Sequence, residues 1–451
     1  MTTLESPSRQ GEREPAARCP RSGAEMSAPP VLGVDDTPAF RLSPYTFVSE
    51  RARELGTDVF DTRLLLRPTT CMTGPEAARV FYGERRLVRH GAAPRRLLLT
   101  LFGRGGVQSL DGEAHAVRKA MFMSLMTPQE RERMRELAGE AWRERIGRWS
   151  RMPRVNLFDE VSELLCEVAC AWTGVRLDRG SIPHATARLL AMIEAPAAVG
   201  PRHLRGRRAR VQAEKGIAEL VRRVRERPER FAGTPLQAVA LHRDADGAPL
   251  DPRVAAVEVL NLLRPIVAVG RFVTLAALAL HANPHCHERI SSGDDAYLEY
   301  FVQEVRRFYP FFPMVAAKVA EPFEWNGHHF PKGRRVLLDL HGIDHDPRVW
   351  EGPEEFRPER FGTWDGGAFD LVPQGGGDHH RGHRCAGEWL TVDLMKVAVT
   401  ALTRWMSYGV LPEQDLSIPR WRAPALPASG FVIDRVIPAE PGATGRSSRC
   451  P

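Results

Sequence analysis

One cysteine stands at the end of a glycine-rich loop. Residues 371–387 read LVPQGGGDHHRGHRCAG, and Cys385 comes just before an apolar helical run. A thiolate there is stabilised by helix-terminal N–H groups and by the exclusion of water, which suits a sulfur held toward a metal. Gly382 and Gly387 would let the backbone pass close to a flat group. Taken alone, Cys385 also fits a buried, inert cysteine. His379, His380 and His383 beside it admit a zinc site, although no second ligand pair occurs elsewhere.

Three further groups have chemical potential. Arg264-Pro265 lies in the apolar run NLLRPIVAVG. Burying a guanidinium is costly unless it is paired, and proline removes a backbone hydrogen bond and kinks a helix. Two costly choices side by side mark a site; the alternative is an arginine paired with a carboxylate such as Glu258, or one snorkelling to the surface. Glu304 and Arg307, i, i+3 in EVRRFYP, can pair on one helical face. Arginine has donors to spare, and Arg360 in FRPERF is a candidate third member. His115 and Lys119 are i, i+4 with Arg118 between them, which would hold an anion or form a solvated basic face.

The elements that must position these residues are mostly helical. Pro128–Trp149 has a long amphipathic pattern, 161–172 a buried one, and 297–308 and 388–406 are further helices. Asp251 caps a helix with Pro252 at its first position, running to Asn283-Pro284. Strand patterns are short, at 335–340 and 431–435. The reading is mainly α with small β-sheets in a single large domain. Residues 1–30, rich in Ser, Pro, Arg and Glu, are expected to be disordered; 31–437 should form the domain that carries the chemistry, and 438–451 a flexible tail. Met26 is a candidate start.

Composition excludes several classes. Apolar residues make up 43% and charged residues 26%, as in a soluble globular chain. The net charge is +7, yet only 5 of 63 basic residues are Lys, so arginine is a chain-wide habit. The densest cluster, RHLRGRRAR at 202–210, lacks the interleaved aromatics of a nucleic-acid surface, and no nucleic-acid partner is expected. The seven cysteines show no CxxC pair and no disulfide framework; Cys166 and Cys170 read as small buried residues. The best candidate span, 254–282, is broken by Glu258, Arg264 and Arg271, and no secretory h-region occurs. No membrane span and a cytoplasmic location are expected.

Taken in order, a Glu-x-x-Arg helix, a Pro-Glu-Arg-Phe segment and a Gly-rich loop with Cys-x-Gly before a helix resemble the cytochrome P450 superfamily. More narrowly, VPQGGG with GHRCAGEW, LLRPIVAV, FVQEVRRFYPFFP and VLLDLHGIDHDPRVWEGPEEFRPERF look like its fatty-acid peroxygenase branch, over about 47–436. The resemblance implies the cytochrome P450 fold and a thiolate-ligated haem b with Cys385 as axial ligand. Gly387 would lie beside the haem, and His115, Arg118 and Lys119 would meet its propionates. Glu304, Arg307 and Arg360 would form a structural triad.

In ordinary members, the helix over the haem carries an acid and a threonine; none stands between Leu262 and Val269 here. In the peroxygenase branch Arg-Pro takes that place. Arg264 and Pro265 are therefore expected in the catalytic site, with Arg264 holding a fatty-acid carboxylate that acts as the missing acid–base group. The Cys385 thiolate would favour O–O cleavage of hydrogen peroxide. The implied activity is hydroxylation at the α or β carbon, with no flavin or ferredoxin partner. Gln108 looks like the hydroxylating members, whereas decarboxylating ones tend to carry His there. Phe102 would line the substrate channel. Oxidative decarboxylation to an alkene, a monooxygenase fed by redox partners, and a non-enzymatic haem or fatty-acid sensor are the alternatives. Three departures stand out. Ala386 replaces the branch's usual Pro, Asp378 replaces the superfamily's Phe, and neither pattern accounts for His379 and His380.

Overall fold

The longest helix begins where its capping signal predicts. The Asp251 carboxylate accepts the Arg253 N–H at 2.8 Å, Pro252 occupies the first turn, and the helix runs Pro252–Ala282. This computed structural model describes residues 35–440. The segment expected to be disordered (1–30), the start at Met26 and most of the expected tail lie outside the described residues. That tail was expected to begin at 438, but Pro438 closes a strand, Val432–Pro438.

The central helix is largely apolar because most of its length is buried, and the polar groups it does bury are Glu258, Asn261, Arg264, Arg271 and Thr274. It packs on Leu157–Thr173, Pro201–Glu226, Ile182–Glu194, Glu388–Thr400 and Asp295–Phe308. It continues through Pro265 without ending, since neighbours on every side hold the two halves together. It is the one helix among the described residues long and apolar enough to cross a membrane, and it is enclosed by the rest of the fold.

Local signals place the other helices. Thr127 accepts the Glu130 N–H at 3.2 Å and opens Pro128–Trp149. Asn156 caps Leu157–Thr173, which starts four residues before the expected 161 and ends at Gly174 in the left-handed conformation. The helix expected over 388–406 stops earlier. Glu388–Thr400 passes into a π-helical turn, Ala401–Trp405, and Met406–Val410 is a strand. The cause is tertiary, because Met406–Val410 pairs with Val432–Pro438.

The sheets are small, as expected. In the five-stranded sheet the order is Val59–Leu64, Arg67–Met72, Arg335–Asp339, Met314–Val319, Leu87–Val88. Only the pair Arg67–Met72 and Arg335–Asp339 is parallel. Asp339 ends its strand by accepting the Gly342 N–H at 2.9 Å, which starts the helix Leu340–Asp344. Helices and sheets together leave one large hollow beneath the central helix.

Candidate active site

The hollow is a cavity of about 1950 Å³. The central helix contributes one wall with Asn261, Arg264, Pro265, Ala268, Val269 and Phe272; the cysteine loop and Leu390 form the opposite one. Cys385 lies on this second wall. Its N–H donates to Gln374 O at 3.0 Å, and Gln374 Nε2 stands 3.8 Å from its Sγ. The sulfur is deep in the protein yet faces open space. Burial pushes the thiol pKa up and Glu388 pushes it further, against Lys119, the Gly387 N–H and Arg306. A metal ion at the sulfur would reverse that balance. Of the loop glycines, Gly387 lines the cavity with nothing within 4 Å of where a Cβ would stand. Gly382 also lines the cavity, but a Cβ there would meet Asp378 O of its own loop at 2.6 Å.

The loop histidines do not converge with Cys385 on a metal. His379 stacks on Trp389 at 4.1 Å and His380 meets the same ring edge-on, which accounts for both. His383 packs on His115, with ring centroids 3.9 Å apart. Among the described residues, no three His, Cys, Asp or Glu side chains are gathered for a metal. Asp378 turns the loop by accepting the N–H groups of His380 and Arg381 at 2.8 and 3.0 Å.

Behind the cysteine, Glu388 is buried between Arg306 and Arg384, the latter at 2.6 Å. Burial pushes its pKa up, but Arg306, His379 and Arg384 outweigh this and hold it far below the usual range. Further out, Glu304 binds Arg307 through two hydrogen bonds of 2.7 and 2.8 Å, and Arg360 Nε lies 3.3 Å from it. Arg307 also donates to the carbonyls of Asp344, Pro353 and Glu355. The three residues singled out by spacing therefore meet.

The cations near Leu101–Thr127 divide. His115 and Lys119 line the cavity. Lys119 Nζ donates to Arg384 O, tying its helix to the cysteine loop. Burial, then His383 and Lys119, lowers the His115 pKa to about 3, so its ring is neutral. Arg118 departs from expectation. It turns away from the cavity and binds Glu258 Oε1 at 2.6 Å and Asp244 at 3.1 Å. Two carboxylates satisfy a buried guanidinium better than a distant anion would.

Because Arg118 takes Glu258, Arg264 does not have it. The Arg264 guanidinium is buried and donates to Leu101 O and, at 3.2 Å, to Asn261 Oδ1. No carboxylate pairs with it among the described residues. Burial, then the nearby Arg210, lowers its pKa to about 9. Asn261 Nδ2 donates to Glu258 Oε2 at 2.8 Å and lies 3.2 Å from Gln108 Oε1, so Arg264 and Gln108 share one network. Phe102 lines the cavity, and its carbonyl accepts from Arg210 at 3.1 Å.

Sequence reasoning missed Arg89. Its side chain is buried at the cavity wall, 4.3 Å above the Phe81 ring, and its Nη1 has no hydrogen-bond partner among the described residues. No motif surrounds it; only the strand Leu87–Val88 aims it inward. Asn261 was also missed, although its place one turn before Arg264 was a readable signal. A thiol on an open wall, an uncrowded glycine and two buried wall cations without a carboxylate partner among the described residues, Arg89 and Lys119, fit a flat, anionic, thiolate-bound group such as haem. Arg89→Met should then leave the haem-free protein at least as stable, because an unpaired buried charge is removed. It should also release haem about ten- to a hundredfold faster, the worth of one charged hydrogen bond. Haem transfer to a scavenging globin measures this, and an unchanged rate would remove Arg89 from the haem site.

Comparisons with known proteins agree with this geometry. Residues 295–421 match the family model described as Cytochrome P450. Cytochrome P450 3A11 of Mus musculus is 29% identical over 152 residues, 33% of this chain and 29% of that protein. The match thus spans under a third of that curated relative's length. Solved structures match far more of the chain. Cytochrome P450SP alpha (CYP152B1) in complex with (R)-ibuprophen is 44% identical, with 90% of this chain and 99% of that one covered at a TM-score of 0.87. Cytochrome P450EX alpha (CYP152N1) with myristic acid is 40% identical, with 92% and 100% covered at 0.87.

Proposed function

This chain belongs to the cytochrome P450 family, and from that premise we propose that it is a haem-thiolate peroxygenase hydroxylating fatty acids at the α or β carbon with hydrogen peroxide. The observation that carries the reading is Arg264, a buried guanidinium on the cavity wall with a carbonyl and an amide as partners and no carboxylate. A fatty acid brings the carboxylate it lacks. The similar structure that contains myristic acid supports the same ligand class.

Bound haem b would supply the iron at which peroxide oxygen is taken up and passed to a C–H bond. Cys385 would hold the group through its thiolate, an electron-rich ligand that favours O–O cleavage. Lys119, Arg89 and His115 would border its propionate edge. The cavity-lining residues of the central helix are Asn261, Leu262, Arg264, Pro265, Ile266, Ala268, Val269 and Phe272, which include no acid and no hydroxyl. A carboxylate bound to Arg264 Nη1 and Nη2 would therefore bring a proton-carrying oxygen to a wall without one. Arg210 already donates to Leu101 O at 2.5 Å, so that carbonyl stays satisfied when Arg264 turns to a substrate. Phe102, Leu97 and Phe311 offer the acyl chain an apolar lining. The carboxylate anchor would leave the α and β carbons nearest the reacting centre. This reading requires no reductase, and a cytoplasmic location is proposed with it.

The test is direct. Purified protein, a saturated fatty acid and hydrogen peroxide, without reductase, should yield hydroxy acid. Turnover only with NAD(P)H and redox proteins would overturn the proposal. A terminal alkene as main product would move the chemistry to decarboxylation. Gln108 bears on that choice, since it adjoins the Arg264 network through Asn261. Gln108→His should raise the alkene share several-fold, measured by gas chromatography of a single reaction.

A further inference from the structure

The rim of the cavity is apolar where a solvent-facing opening should be polar. Among the described residues, ten large apolar side chains are exposed, and five of them line this one cavity: Leu42, Leu65, Leu66, Val199 and Trp421. Leu66 is 72% exposed, Leu42 69% and Trp421 61%, so these side chains stand at the mouth. Scattered exposed leucines need no explanation, but a ring of them around an opening does.

The backbone makes the pattern sharper. Leu65 and Leu66 form the two-residue turn between Val59–Leu64 and Arg67–Met72, with φ of 55° and 59°. Turns of this kind favour Asn-Gly, because side chains rarely adopt the left-handed region. Here two leucines are held there and point outward. The turn is braced from behind, with the Leu66 N–H donating to Asp35 and the Leu65 N–H to Thr37. Folding alone gains nothing from apolar residues at such a tip.

The exposed charges around the mouth are mostly positive, with Asp35 the acid among the cavity-lining residues there. Arg41 and Arg202 are exposed and line the cavity, while Arg67 and Arg420 are exposed beside Leu66 and Trp421. None of the four forms an ion pair among the described residues. The nearby acids are engaged: Asp35 with the Thr37 and Leu66 N–H groups, and Asp36 with Thr62. Separate apolar points around a hole, interspersed with cations, make a poor match for a rigid protein face. They match a fluid layer of anionic headgroups over acyl chains.

We propose that this rim docks on an anionic lipid bilayer, with Leu42, Leu65, Leu66 and Trp421 entering the interfacial layer and the cavity mouth opening onto it. The substrate class proposed above partitions into the same layer, but the docking is read without substrate or oxidant, so either idea can fail alone.

The experiment uses the full-length haem-loaded protein and vesicles of phosphatidylcholine with or without phosphatidylglycerol. Co-sedimentation should occur with the anionic vesicles, weaken at least tenfold without phosphatidylglycerol, and fall as salt rises. Leu65→Asn with Leu66→Gly suits the left-handed turn, so this variant should fold normally, keep its carbon-monoxide spectrum, and bind vesicles at least tenfold more weakly. Brominated lipid should quench tryptophan emission in the parent, and less so in Trp421→Ser. The proposal is overturned if the full chain fails to sediment with anionic vesicles or if the Asn-Gly variant binds undiminished. It is equally overturned if the leucines prove instead to hold a dimer, seen as a mass change in light scattering without vesicle binding.

Discussion

Arg264→Ala should abolish fatty-acid hydroxylation while leaving the haem in place. Two losses combine. The first is the anchor, since removing one partner of a buried, hydrogen-bonded charge pair costs about 2–5 kcal/mol. The second is the proton carrier, because without the anchor the substrate carboxylate no longer stands at the reacting wall, and a positioned acid–base group contributes about 10²- to 10⁴-fold. Together they predict a fall in kcat/KM of at least about 10³-fold. Haem should stay bound, since Arg264 touches Leu101 O and Asn261 and none of the residues behind Cys385. Arg264→Lys keeps a charge but not the fork, so it should recover only part of the activity. Product analysis and the carbon-monoxide spectrum, run on one preparation, decide the matter. Retained hydroxylation in Arg264→Ala would mean that the carboxylate is held elsewhere.

Glu304→Ala should cause the largest loss of stability of any single change at the site's periphery. Glu304 is fully buried, accepts from Arg307 twice and from the Arg357 N–H at 2.8 Å, and pairs with Arg360 at 3.3 Å. Its removal leaves two guanidinium groups without their shared anion, and breaking a buried pair from one side costs about 3–5 kcal/mol. The damage should extend further. Arg307 and Arg360 pin the carbonyls of Asp344, Glu351, Gly352, Pro353 and Glu355, in the segment before the cysteine loop. Haem retention should therefore fall along with the unfolding midpoint. Denaturant unfolding of the haem-loaded protein measures the first effect. A loss under about 1 kcal/mol, as for an exposed pair, would make the triad ornamental.

These two expectations rest on different kinds of evidence. The triad could be read from the chain, because Glu304 and Arg307 are one helical turn apart and Arg360 follows in a short motif. Arg264 could be suspected from its apolar run, yet its partner could not. Glu258 stands six residues earlier on the same helix and was the natural candidate. Folding gives it to Arg118, more than a hundred positions away in sequence, and that exchange both takes Arg118 from the proposed haem edge and leaves Arg264 without a carboxylate partner among the described residues.

The chain by itself determined the elements that local chemistry controls: the helix opened by Asp251 and Pro252, the helix opened by Thr127, and the loop that carries Cys385 ahead of Glu388. Caps, periodicity and glycine placement act over a few residues, so they can be read in order. Only the tertiary structure decided where the helix after Cys385 stops, since Met406–Val410 gains a strand partner in Val432–Pro438, further along the chain. It alone set Arg89 at the cavity wall, gathered Arg264, Asn261 and Gln108 into one network, and ringed the mouth with Leu42, Leu66 and Trp421. The reason in each case is the same. A charge or an apolar side chain takes its meaning from what lies within a few ångströms, and those neighbours come from distant parts of the chain.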